Sequence, residues 1–474
     1  MLTRLGRSRS QLLVLGALLL LFIGVSVQYS TKVLTPRKDG LTQSAILRWA
    51  KQFREMQDGE NIHAKYNYPN PPILPQILTP IFELAGVSPA TGALTWFYLK
   101  VGMVVVCLYW AFRLVETPGR PYPALAQAAA VAASVIPIIG DLKHGNVNIF
   151  ILFLVTGTLY SFARGRDSLS GLLLGLAIAC KVTPALFIVY FAWKRAWRVV
   201  AGCVAGLVLF FLVIPSLFFA VQKGSLVEGW EQNWAALTAW KEGMIDPYLI
   251  RGEVTSEREN QSLPGVLTRL FSHEPSFSRW IDGVDTPLAY HNVADLSSGT
   301  IKRIVQACQV AFLVLMVITC RAPIRATGLA PTHVRRGWRL AAEYSLILVG
   351  MLLFSERTWK HHCVTLLLPF AVISYGAFAH EFPGRVKWVA RAALVLAAAL
   401  IAMPTAAEVF GDRTLAAAAH EIAPDARERL GLNPNSPREL AQVYGAYLWA
   451  MLALVVGLAT MLLSRVDRGE RPRL

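Results

Sequence analysis

Several features that mark common enzyme classes are missing from this sequence, and each absence removes a kind of chemistry. There is no Walker motif, no dinucleotide-binding glycine pattern, no HExxH and no DxD pair, which disfavours ATP hydrolysis and a carboxylate-pair metal site. No metal and no cofactor are therefore expected. The six cysteines (Cys107, Cys180, Cys203, Cys308, Cys320, Cys363) contain no CxxC pair and fall in or beside apolar runs, so they read as packing residues, neither disulfide framework nor zinc site. Charge is scarce: 16% of residues are charged against 54% hydrophobic. At a mean hydropathy of +0.45, a chain of 474 residues is too apolar for a soluble globular protein and reads as an all-α polytopic membrane protein. No internal repeat or low-complexity tract stands out.

What charge there is has one dominant sign, with a net +16. The basic residues lie in short clusters at the ends of apolar runs, not along one stripe, so they report topology and no nucleic-acid partner is expected. Apolar windows place about ten spans, near 11–28, 93–115, 122–140, 147–163, 199–219, 302–320, 338–354, 362–379, 387–404 and 441–464. The first, after MLTRLGRSRS, lacks a clean small-residue cleavage site and reads as an uncleaved helix with a cytoplasmic N-terminus. The run Ile73–Leu84, rich in proline, is too short to cross and suits an interfacial or re-entrant helix. The whole chain, 1–474, reads as one integral membrane domain.

The organising stretch is Gly171–Arg198. It sets Lys181 and Pro184 between apolar runs of 13 and 9 residues (Ser168–Cys180 and Ala185–Trp193), each short of the ~20 a span needs. Two readings compete: a Pro-kinked helix whose lysine snorkels, or a re-entrant hairpin with Lys181 at its tip. The positive-inside rule favours the hairpin. Arg4, Arg7 and Arg9; Arg113 and Arg120; Arg164 and Arg166; Lys194, Arg195 and Arg198; Arg321, Arg325, Arg335 and Arg336; Arg385 and Lys387; and Arg465, Arg468, Arg471 and Arg473 all fall on one side only if the Lys181 segment returns to the side it left. Both termini are then cytoplasmic.

Two long external loops result. The first, about 29–92, keeps basic residues against the rule, and Leu41–Met56 has the pattern of an amphipathic helix on the membrane surface, with Ile46, Leu47, Trp49, Ala50 and Phe53 apolar. The second, about 220–300, carries Trp230, Trp234, Trp240 and Trp280 and suits a small interfacial lid. Five polar clusters share the external side: Tyr66–Pro72 (YNYPNPP), Asp141–Asn148 (DLKHGNVN), Lys181 with Thr183, Asn260–Ser262, and Ser355–His362 (SERTWKHH). In DLKHGNVN, Gly145 allows close backbone approach; the plainer reading is a polar turn capping the next helix through Asn146. An intramembrane lysine needs a partner, and a lipid-linked phosphate would supply one for Lys181. Adjacent His361 and His362 point about 100° apart on a helix, which does not suit a shared metal.

These residues, in this order, resemble glycosyltransferase family 87, integral membrane enzymes of the C-type superfamily that use polyprenyl-phosphate sugars outside the cytoplasmic membrane. The matching pieces are YNYPNPP, HGNVNIFIL, LAIACKVTPAL with WKRAWR, NQSLPGVLTR and SERTWKHHCVTLLLP, covering about 40–370. The resemblance implies a C-type bundle of about ten spans plus the re-entrant hairpin, with external loops forming the site. It implies inverting transfer of a hexosyl unit, commonly mannose, from a polyprenyl-phosphate donor to a lipid or glycan acceptor at the external face of the cell membrane. Donor phosphate would be held by Lys181, Arg357, His361 and His362. The remaining substrate contacts would come from Tyr66, Tyr68, Asn70, His144, Asn146, Asn148, Asn260 and Gln261. One departure stands out: the family's first-loop aspartate, the usual base, is absent at its spacing before Gly59, where Ser44 and Ala45 stand. Asp39, Asp58 and Asp141 are the alternative base candidates, of which one is expected to act, with Glu55 and Glu60 nearby. The different-class alternative is a secondary transporter or lipid flippase, since a broken helix with a lysine at the break also suits carriers.

Overall fold

The computed structural model describes residues 9–35, 42, 44–66, 68–117, 121–281, 284–322, 335–410 and 436–464. Of these, eight helices are long and apolar enough to cross a membrane: Gly16–Leu34, Pro89–Val115, Ala124–His144, Trp197–Lys223, Ser298–Thr319, Lys360–Phe378, Gly384–Pro404 and Ala446–Leu463. The protein is an all-α polytopic membrane protein. The expected spans at 147–163 and 338–354 form helices of 16 residues, Asn148–Ala163 and Trp338–Leu353. Each is about 24 Å long, short of a ~30 Å hydrocarbon core. The chain separates into two compact units, 1–129 with 141–252 and 322–341, and 130–140 with 253–321 and 342–474.

The first unit holds α1 (Arg9–Leu34), α2 (Ala50–Gln57), α3 (Ile62–Tyr66), α4 (Ile73–Val87), α5 (Pro89–Val115), the ends of α6 (Ala124–His144), α7 (Asn148–Ala163), α8 (Asp167–Cys180), α9 (Leu186–Trp193), α10 (Trp197–Leu207), α11 (Ile214–Lys223) and α12 (Leu226–Trp240). Helices α10 and α11 run on through one wide turn at Val208–Val213. Helices α5 and α7 lie parallel: Trp96 Nε1 donates to the Gly145 carbonyl just before α7, Thr156 Oγ1 meets Cys107 Sγ, and Trp110 stacks on Tyr160.

The packing of α8 on α10 decides how the Lys181 segment runs. Gly171 lies against Val199 and Cys203, and Gly175 lies against Cys203 and Gly206. Contact positions rise together along both helices, so α8 and α10 are parallel. The intervening chain, with α9, must therefore travel back to where α8 began, as the re-entrant reading requires. Close approach depends on the missing side chains: a Cβ on Gly171 would sit 2.2 Å from the Val199 carbonyl oxygen, which no side chain tolerates.

The first loop departs from its expected role. Segment 45–57 folds as a tight turn, Ala45–Trp49, followed by α2, but its apolar side does not face a membrane. Ile46, Phe53 and Met56 are buried, and Phe53 stacks on Phe82 at 3.7 Å. Protein, not lipid, covers this amphipathic face, because Ile46 meets the bare backbone of Gly145. Helix α4 is 15 residues long and contains Pro80, too short to span, as its sequence suggests.

The second unit holds α13 (Leu263–Phe271), a hairpin of β1 (Phe277–Ile281) and β2 (Val284–Ala289), α14 (Ser298–Thr319), most of α15 (Trp338–Leu353), α16 (Leu367–Phe378), α17 (Gly384–Phe410), α18 (Pro437–Val443) and α19 (Ala446–Leu463). The strands pair antiparallel with Arg279 opposite Thr286. The expected lid at 220–300 is divided: α12 belongs to the first unit, where Trp230 and Trp234 are exposed and Trp240 is buried with Nε1 on the Pro69 carbonyl (3.2 Å), while α13 and the hairpin belong to the second.

Candidate active site

One end of the first unit gathers the polar residues that the sequence singles out. Helix α6 continues through Asp141 to His144, so the DLKHGNVN cluster starts on a helix and turns at Gly145, whose φ of +73° is left-handed. That conformation suits glycine, and a Cβ there would lie 2.9 Å from the Ile46 amide nitrogen. Asn146 does not cap α7. Val147 occupies the cap position, and Asp141 Oδ2 instead accepts from the Ile149 amide at 3.3 Å. Asn146 Oδ1 accepts from the Arg48 guanidinium, which also donates to the His144 carbonyl at 3.4 Å.

Two lysines reach this end, in opposite states. Lys100, fully buried, donates to the Asp141 carbonyl (2.5 Å), Asp141 Oδ2 (3.4 Å) and the Leu142 carbonyl (3.3 Å). Its three N–H groups are all engaged. Lys181, half-buried at the C-terminal end of α8, makes one hydrogen bond among the described residues, to Asn148 Oδ1 at 2.8 Å. It has no carboxylate within ion-pair distance among the described residues. Among the described residues, two of its three ammonium protons have no acceptor.

Asp141 is fully buried, and both carboxylate oxygens are engaged: Oδ1 by Asn148 Nδ2 (3.0 Å), Oδ2 by Lys100 and the Ile149 amide. It also sits at the N-terminus of α7, where negative charge is favoured. Asp58, by contrast, ends α2 exposed to solvent. Asp39 lies outside the described residues. Glu55 and Glu60 are bridged by Lys65, at 3.2 and 2.6 Å.

Of the YNYPNPP segment, Tyr66, Tyr68, Pro69 and Asn70 all make contacts to other elements. Tyr68 is buried edge-on to Trp49 and Phe53. Burial raises its hydroxyl well above the usual phenol range, against the opposing pull of the Asn70 side chain and of nearby Arg48, so it stays a proton donor. The Asn70 carbonyl is bonded by His63 Nε2 at 3.0 Å. Burial pulls buried His63 down to about 4; it is neutral at neutral pH. The Tyr66 ring carries Lys51 and Lys65 over it at 5.8 and 5.5 Å.

Within the second unit the remaining sequence candidates form a lock. Asn260, fully buried, donates to the Glu356 carbonyl (2.8 Å) and accepts from the Thr358 amide (3.0 Å) and from Ser262. Gln261 donates to the Gln442 carbonyl (2.8 Å) and accepts from the Tyr447 amide (3.2 Å). Their polar atoms hold the SERTWKHH segment and have little left to offer a substrate. Arg357 lies 5.9 Å from the Trp359 ring centre. His361 is buried, edge-on to Trp359 and His362. The Trp359 amide donates to His362 Nδ1 at 3.3 Å. No group of three or more metal-ligating side chains occurs among the described residues.

Four structural participants escape the sequence reading. Lys100 carries the same signal as Lys181, a lone charge in an apolar helix, and could have been found by it. Arg48 was hidden among the basic residues of the first loop. His63 gave no signal, and Arg269, the last residue of the NQSLPGVLTR piece, was not singled out within it; Arg269 is fully buried and donates to five carbonyls, of Ser256, Glu257, Asn260, Gln442 and Val443.

A helical membrane protein with a lysine-tipped re-entrant segment is thereby defined, and comparison with known proteins gives its family. The model of glycosyltransferase family 87 matches residues 68–355, and the chain belongs to that family. It is 27% identical over 350 residues to a polyprenol-phosphate-mannose-dependent alpha-(1-2)-phosphatidylinositol mannoside mannosyltransferase of Mycolicibacterium smegmatis, covering 72% of this chain and 63% of the relative. To the protein of the same name from Mycobacterium tuberculosis it is 26% identical over 223 residues, covering 45% of this chain and 48% of the relative. The chain thus spans about half to under two thirds of the length of these curated relatives. No solved structure matches it.

Proposed function

We propose that this chain transfers a mannosyl unit from a polyprenyl-phosphate donor to a lipid or glycan acceptor at the external face of the cell membrane. The observation that carries the reading is Lys181: an ammonium at a re-entrant tip, held among the described residues by one neutral hydrogen bond. Family membership and the names of the relatives supply the donor class, and mannose as the sugar.

In the reaction, the bond between the anomeric carbon and the donor phosphate oxygen breaks, its electron pair staying on the phosphate. The acceptor oxygen bonds to the same carbon from the opposite face, inverting it, and the hydroxyl proton passes to a carboxylate. Lys181 stabilises the negative charge that grows on the departing phosphate. Asp141 is fully buried with both carboxylate oxygens engaged, which leaves an acceptor hydroxyl no approach to it, so the base is sought at Asp39 or exposed Asp58. Tyr68, Asn70, His144 and Asn146 are proposed sugar or acceptor contacts, as is Tyr66. Arg357, His361 and His362 remain proposed phosphate or hydroxyl ligands, to be tested by single substitution.

Orientation follows from the ends of the first unit. Arg113, Arg164, Lys194, Arg195, Arg198 and Arg335 lie at the helix ends opposite Asn148 and Lys181; Lys194 donates to the Ala322 carbonyl and Arg335 pairs with Asp167 there. Basic ends tend to stay cytoplasmic, which supports the reading that Lys181 faces outside. The test is the purified protein in liposomes with synthetic polyprenyl-phosphate mannose. Mannose transferred in equal amount to polyprenyl phosphate released supports the reading; uptake of the intact donor without release would replace it with transport.

A further inference from the structure

Asp141 belongs to a buried chain of contacts whose far end is Lys181. Lys100 Nζ lies 3.4 Å from Asp141 Oδ2, Asp141 Oδ1 accepts from Asn148 Nδ2 at 3.0 Å, and Asn148 Oδ1 accepts from Lys181 Nζ at 2.8 Å. Three helices and a re-entrant tip contribute one residue each. We propose that Asp141 is a positioning residue: it fixes the amide of Asn148 so that its oxygen, not its nitrogen, faces Lys181, while Lys100 balances the buried carboxylate. This rests on the reading of Lys181 as the donor-phosphate ligand.

The chemistry of an amide makes the arrangement directional. Asn148 has a donor end and an acceptor end. A carboxylate can only accept, so it must face the NH2 group, which turns the carbonyl oxygen to Lys181. With a neutral partner in place of Asp141, the amide gains a second orientation that points N–H at N–H and leaves the ammonium unheld. A neutral acceptor also suits the task better than a carboxylate would. It orients Lys181 without cancelling the charge that a phosphate needs. Lys100 completes the logic: a carboxylate alone at this depth would be strongly disfavoured, and Lys100 faces it with every N–H engaged.

The experiment measures equilibrium binding of radiolabelled polyprenyl phosphate, together with donor KM and kcat, in liposomes. Asn148→Ala breaks the link yet leaves the Lys100–Asp141 pair intact. The pair Lys100→Met with Asp141→Asn avoids stranding a buried charge if Asp141→Asn alone fails to fold. Both are expected to weaken binding and raise donor KM about tenfold, with a smaller fall in kcat. Neither should weaken binding further when Lys181→Ala is already present. Loss of kcat at unchanged binding would make Asp141 the base and overturn the inference, as would losses that multiply with Lys181→Ala, which denote general damage. Wild-type binding by Asn148→Ala, with Lys181→Ala impaired, overturns this inference alone. Wild-type binding by Lys181→Ala overturns the phosphate reading itself, and the inference with it.

Discussion

Two polar clusters of similar appearance in the sequence behave differently in the structure. DLKHGNVN with Lys181, in the first unit, engages its carboxylate and amides and, among the described residues, leaves two ammonium protons unused. NQS with SERTWKHH, in the second, is closed: Asn260 and Gln261 bond main-chain groups of Glu356, Thr358, Gln442 and Tyr447, and Arg269 adds its bonds to five carbonyls. In an apolar chain a polar side chain is either a pin or a tool. The distinction lies in whether its hydrogen-bonding capacity is already filled.

Breaking the open cluster should have the largest effect. Lys181→Ala is expected to lower mannosyl transfer by roughly 100- to 1,000-fold while membrane insertion is unchanged, as measured by transfer from polyprenyl-phosphate mannose beside the amount of inserted protein; near-normal transfer would put Lys181 among the pins. Asn260→Ala strikes the closed cluster, orphaning the Glu356 carbonyl and the Thr358 amide. It should cost about 2–4 kcal/mol of stability, seen as a lower melting temperature in detergent, and an unchanged melting point would refute its role as a lock.

His63 sharpens the comparison through pH. Its folded value of about 4 lies below the ordinary 6.5, so the fold favours the neutral ring. That contribution is fully present above pH 6.5 and is lost as pH falls from 6.5 towards 4, at most about 3 kcal/mol. Melting temperature should fall across that window, and His63→Gln should flatten the slope; an equal slope in the variant would assign the acid sensitivity elsewhere. The smallest effect is expected at the hinge of the open cluster. Gly145→Ala, forced to keep φ near +73° against Ile46, should destabilise by about 1–3 kcal/mol, and a neutral result in the same melting assay would mean that the turn relaxes.

Much of this was legible because membrane chains obey few rules strictly. Apolar run lengths gave the helices, and the recurrence of arginine at their ends required Lys181 to sit at a return point, which the parallel packing of α8 and α10 reproduces. Local pattern failed where side chains choose among partners of equal chemistry. Leu41–Met56 has an amphipathic pattern whether lipid or protein covers it, and only the approach of Ile46 to Gly145 decides. Asp141 could be a base from its type alone; its enclosure by Lys100, Asn148 and the α7 N-terminus comes from residues 41 positions before it and 7 and 8 after it.

By itself the sequence determined the helical membrane class, the re-entrant break at Lys181 and the family resemblance, because burial of backbone in lipid and the sorting of positive charge act on local composition. The tertiary structure alone decided which polar groups are satisfied. Hydrogen-bond saturation depends on neighbours brought together from distant segments, as Lys100 is brought to Asp141 and Lys181 to Asn148.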